Sequence, residues 1–134
     1  MAYALLPDMD QALITYLTGH ASLAALHGGR VATKLASDLR AVRISSLGGS
    51  QPWPWEDRPE YQVEWWGARV DADQGPAKTL ARTGEAALWD LVSSPVAGGR
   101  VTGVAMPLSQ LWSPDETTGR ARYITHVALT VHPA

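Results

Sequence analysis

Apolar positions along the chain change period several times, and each change marks an element. Met9, Ala12, Leu13, Tyr16 and Leu17 recur at helical spacing. Asp8 stands where it can cap that helix, with Gln11 three residues on, as in a capping box. Gly19 is the expected end, and residues 21–26 add one more turn. After the break at Gly28-Gly29, residues 30–33 read as a short strand, and Ala41-Val42-Arg43-Ile44-Ser45 alternates with Val42 and Ile44 on one face. In Tyr61-Gln62-Val63-Glu64-Trp65 the residues Tyr61, Val63 and Trp65 face one way and Gln62 and Glu64 the other. A second helix opens at Asp73 or at Gly75-Pro76 and carries the stripe Ala77, Leu80, Ala81, Gly84, Ala87, Leu88 and Leu91. Pro95 limits it. Residues 100–106 read as a strand, and Tyr123, Thr125, Val127, Leu129 and Val131 alternate with Ile124, His126, Ala128 and Thr130 in the longest strand, closed by Pro133.

Two segments lack such a pattern. Residues 47–59 are rich in glycine and proline and read as a loop, as do residues 107–119. The pair Gly28-Gly29-Arg30-Val31 and Gly98-Gly99-Arg100-Val101 is a reused helix-to-strand turn, because nothing around it repeats. The expected fold is α+β: a sheet of four to five mostly antiparallel strands, with two main helices packed on one face. All 134 residues fit a single domain.

Composition narrows the function. The charged fraction is 18%, below the usual value of about 25%, which fits a chain that covers part of its surface with a partner. The absence of cysteine removes disulfides, thiolate metal sites and Cys nucleophiles. A net charge of −2 lacks the basic footprint of a nucleic-acid reader. No apolar run approaches the ~20 residues of a membrane span, and the first residues lack a basic leader region, so an origin in the cytoplasm is expected.

No catalytic, cofactor-binding or metal site is expected. His20 and His27 flank a helix end and a glycine turn, while His126 and His132 share the polar face of the last strand. None has metal-ligand spacing. Asp71 and Asp73 suit a helix start, and Asp115-Glu116 suits a turn. Phosphate-loop and nucleophile-elbow motifs are missing. Arg40 and Arg43 are too few for a nucleic-acid patch.

Tryptophan stands out, with six residues and no phenylalanine. Trp65 belongs to the core face, so Trp66 points to the opposite face and must be covered by a loop or by another chain. Trp53-Pro54-Trp55 falls in the expected loop. Either that loop folds back over Trp66, or a neighbouring chain covers these rings; the low charge tilts the balance to a neighbour. Trp53, Trp55, Trp66 and Arg43 are therefore the candidate interface residues.

The order of motifs resembles the tail terminator proteins of long-tailed bacteriophages, also called tail completion or head-to-tail joining proteins. The matching features are the Leu6-Pro7-Asp8 helix start, Arg30-Val31 after a glycine break, Ala41-Val42-Arg43-Ile44 followed by Gly48-Gly49, Trp66-Gly67 closing a strand, an Ala-rich helix, and Arg122-Tyr123 opening the last strand. The composition looks like that of a phage with an actinobacterial host. The resemblance implies a non-enzymatic virion protein at the tail–neck junction, assembled in the host cytoplasm. It implies a homohexameric ring that caps the tail tube and contacts the major tail tube protein and a head–tail connector or neck protein. DNA would pass through the lumen without specific binding, and no membrane is involved. Alternatives are another neck or connector subunit, a minor tail protein or, in a different class, a small-molecule or peptide-binding enzyme domain using the acidic groups and His126, which would require a pocket where those groups converge.

Overall fold

The computed structural model describes residues 5–35, 37–70 and 73–134. Among the described residues, three helices and five strands follow in the order α1 (Met9–Gly19), α2 (Ala21–His27), β1 (Val31–Ala32), β2 (Ala41–Trp53), β3 (Glu56–Trp66), α3 (Gln74–Trp89), a short 3-10 turn (Asp90–Ser93), β4 (Gly99–Trp112) and β5 (Arg122–Pro133). The sheet order is β1-β2-β3-β5-β4. β1 runs parallel to β2, and all other neighbours are antiparallel. This is an open α+β sheet.

Local chemistry explains the helix boundaries. The Asp8 carboxylate accepts from the Gln11 N–H at 3.3 Å, while the Gln11 side chain turns to Thr15 instead of returning to Asp8, so half of the expected box forms. Gly28 closes α2 in the left-handed region at φ 58°, and its N–H bonds Ala24 O. His27, fully buried, completes that end. Its Nδ1 accepts from the Gly29 N–H at 2.9 Å, so Nε2 carries the proton and donates to Leu17 O at 2.8 Å. Asp73 is the N-cap residue of α3, but its carboxylate does not cap; it holds Arg40 and the Ala68 N–H instead. Asp71 lies outside the described residues.

The core lies between the helices and one face of the sheet. Val42, Ile44, Tyr61, Val63, Trp65, Val127, Leu129 and Val131 meet Leu13, Leu17, Leu23, Leu80 and Leu88 there. Trp65 runs under α3 at Gly84, where an added Cβ would sit 2.1 Å from the ring. The Trp65 indole N–H donates to Thr125 Oγ1, and that hydroxyl donates to the buried Glu85 carboxylate at 2.6 Å. Glu85 also accepts from the Ser109 hydroxyl and from the Gln110 N–H and side-chain amide. Tyr61 donates to Asp10 and Tyr16 to Ala87 O, tying α1 to β3 and to the last turn of α3. Burial, and then the Asp10 carboxylate, push the Tyr61 hydroxyl pKa well above the usual phenol range.

Two expected loops are corrected. Residues 47–59 are not a loop: β2 runs on to Trp53, β3 begins at Glu56, and only Pro54-Trp55 turn between them. The glycines and prolines shape this hairpin without ending it. Register shifts precede Gly48 and follow Ser50. Gly49 has φ 139°, and a Cβ there would lie 2.2 Å from Arg58 O, so the partner strand approaches closest where a side chain is missing. Residues 107–112 also belong to a strand. β4 is an edge, where Pro107 needs no outward N–H partner, and bulges absorb the irregular register up to Leu111.

Candidate protein interface

The hairpin β2–β3 carries Trp53 and Trp55 at its tip. Their rings stack at 5.4 Å between centroids and 6° between planes. Stacking hides one face of each ring, yet Trp53 stays 54% exposed and Trp55 48%. Behind the tip, Glu56 bonds Arg58 at 2.7 Å and His132 Nε2 at 3.0 Å, which fastens the hairpin to the end of β5. The His132 hydrogen bond, and then Arg58, hold the Glu56 carboxyl below its usual pKa.

Trp66 occupies a different surface. It lies on the helix-free face of the sheet, across from Arg122, and is only 6% exposed. The cover comes from its own chain. The guanidinium groups of Arg120 and Arg122 lie 5.1 and 5.0 Å from its ring centroid. Its indole N–H donates to Glu64 at 3.1 Å. The Trp53–Trp55 hairpin does not fold back over Trp66; the covering arginines come from the β4–β5 connection and the start of β5.

Arg120 organises this corner. Nε donates to Gly67 O at 2.6 Å, Nη1 to Ser37 O at 2.8 Å and Nη2 to Leu39 O at 2.6 Å. One planar group thus joins three carbonyls on two backbone segments, the stretch before β2 and the end of β3. Burial lowers its pKa.

Arg43 stands on the same face, 40% exposed at the side chain, and pairs with Glu64 at 3.0 Å. Glu64 is 1% exposed and also receives Gln62 and, at 3.7 Å, Arg122. Arg43 and Trp66 therefore share one carboxylate, whereas Trp53 and Trp55 sit at the far end of β3. The four candidate residues form two sites.

A second apolar end was missed by pattern reading. Trp112 (41% exposed) and Val70 line one hollow at the end of the sheet opposite Trp53, with Trp112 tilted against Tyr123 at 5.1 Å, and Leu111 beside Trp112 in β4 is exposed as well. Once residues 107–119 are read as a turn, this end of a strand is invisible.

Groups that could do chemistry are dispersed. His126 Nε2 bonds Gln62 Oε1 at 2.9 Å, and Asp115 accepts from the Thr118 N–H and hydroxyl within its own turn. The Thr118 bonds hold the Asp115 carboxyl below its ordinary range. Among the described residues, no three His, Asp or Glu side chains are placed to hold a metal ion, and no helix is long and apolar enough to cross a membrane.

Fold and surfaces together define an open-sheet α+β fold with exposed aromatic side chains at both ends of the sheet. No protein-family model matches the chain, and no curated protein matches it. Among solved structures, a chain in the virion of a native gene transfer agent (GTA) particle is similar to it. The TM-score is 0.70 at 18% identity, covering 92% of this chain and 94% of that one. At that identity the likeness establishes a common fold, spanning nearly the full length of both chains.

Proposed function

We propose that this chain is a structural subunit of a phage-type virion, and specifically a tail terminator. In this reading it forms a ring that caps the tail tube and offers the joining surface to the neck. The observation that carries the reading is the end-to-end likeness to a chain of a gene transfer agent virion. The motif order in the sequence is consistent with it. The exposed Trp53–Trp55 pair suits a subunit completed by neighbours. The two ends of the sheet suit a part seated between two others, the tube protein on one side and a connector or neck protein on the other. A mildly acidic chain lets DNA slide through a lumen without gripping its phosphates.

Electron microscopy of the purified chain and of particles carrying it tests the assignment. Six-fold rings and density at the tail–neck junction are expected. One copy per tail, or density elsewhere on the particle, overturns the terminator role in favour of another neck or minor tail part.

A further inference from the structure

The open sheet has two edges. β1 covers β2 only at Val42 and Arg43, so among the described residues β2 has no outer neighbour from Ile44 onward. β4 forms the other edge, with β5 as its sheet partner. Unpaired edges are normally blunted by lysines or other charges, because they template pairing with further chains. Here residues 44–53 and 101–112 contain no Lys, Arg, Asp or Glu. At the chain-wide fraction of 18%, those 22 positions would hold about four. Proline is also absent from residues 44–51 and 101–106.

The register sets the two bare stretches at the same height. Gly48 pairs with Glu60, Glu60 with Ala128 and Ala128 with Ala105, in one row across the sheet. Ser50 pairs with Arg58, and Gly103 with Thr130, one step nearer the hairpin tip. Three antiparallel pairings separate β2 from β4, so these edges run in opposite directions. A copy turned about an axis along the strands therefore presents its β4 to the β2 of its neighbour, antiparallel and without sliding. This is a heterologous contact, which closes into a ring when each copy uses both edges once.

We propose that β2 residues 44–51 of one copy pair with β4 residues 101–106 of the next, making backbone hydrogen bonds the main contact around the ring. The inference rests on the ring reading and specifies its chemistry. Ser50 and Thr102, both exposed, sit on the facing stretches. The chain has no cysteine of its own, so a Ser50→Cys/Thr102→Cys variant reports only this contact, and strand neighbours lie within disulfide reach. Oxidation of the assembled variant should give a covalent ladder on a denaturing gel, and each single variant should stay monomeric there. Amide exchange of the unsubstituted chain should slow at least tenfold over residues 44–51 and 101–106 on assembly. Rings seen by microscopy with no ladder, or with unchanged exchange, overturn the strand pairing and leave the ring intact. A Ser50→Cys single variant that cross-links to a dimer overturns it in favour of two-fold pairing. A chain that stays monomeric in the ultracentrifuge at every concentration overturns the ring reading and this inference with it.

Discussion

Gly84 shows how one missing side chain sets the depth of the core. α3 approaches Trp65 so closely that a methyl group at this position would sit 2.1 Å from the ring, and either the helix or the fully buried indole must shift. Gly84→Ala should therefore destabilise the fold by about 1–3 kcal/mol, although alanine is the better helix former. Urea unfolding of the two proteins checks this, and an unchanged midpoint would show that α3 can lift off the sheet. Arg120 is the second decisive residue. Its three donors satisfy three carbonyls while its face covers Trp66. Lysine has no planar fork and cannot bridge all three. Arg120→Lys should cost about 2–3 kcal/mol and red-shift tryptophan emission as Trp66 gains water. Full retention of stability would mean that the carbonyls find other donors.

At the scale of elements, the start of α3 is tied to the segment before β2 through Asp73 and Arg40. The two Arg40 hydrogen bonds, helped by the Ala68 N–H and opposed by burial, hold the Asp73 carboxyl below its ordinary value of 3.8. A folded pKa below the unfolded one stabilises the fold fully above the unfolded value, and that share is lost as pH falls from there through the folded pKa. The melting-temperature gap between the wild type and Asp73→Asn should thus be widest near neutrality and narrow below about pH 4. An equal gap at pH 3 and pH 7 would assign the effect to shape alone. These elements were unequally legible in the sequence. Helices α1 and α3 and the inner strands carry their period in the residues themselves, because each has one buried face. The outer half of the β2–β3 hairpin does not. It extends past the core, so both faces are polar or exposed, and its glycines and prolines serve a bulge and a turn. The end of β4 is obscured in the same way by Pro107. Trp53 and Trp55 could be singled out as large rings in a polar stretch. The cover over Trp66 could not, since nothing near it in sequence announces that Arg120 will arrive from the far hairpin.

For the whole molecule, the Trp53–Trp55 tip stands outside the hydrophobic core. Replacing both with alanine should change the stability of the isolated chain by no more than about 1 kcal/mol. If the tip is a contact to a neighbour, the same change should weaken assembly at least tenfold, read by sedimentation. A large loss of monomer stability would instead give the tip a role within its own subunit. The sheet order also has a kinetic consequence. β2–β3 and β4–β5 are each local hairpins, but the sheet closes only where β3 meets β5, and α3 and the 3-10 turn intervene in the chain. Bringing those two strands together closes a long loop before any seam contact forms. The Gln62–His126 and Trp65–Thr125 contacts bridge that seam, and substitutions there should slow refolding in stopped-flow mixing, while substitutions at the hairpin tip leave the refolding rate unchanged. Refolding slowed at the seam and untouched at the tip would show two preformed ribbons joined by one late zipper, whose rate then sets how fast subunits are supplied to any assembly.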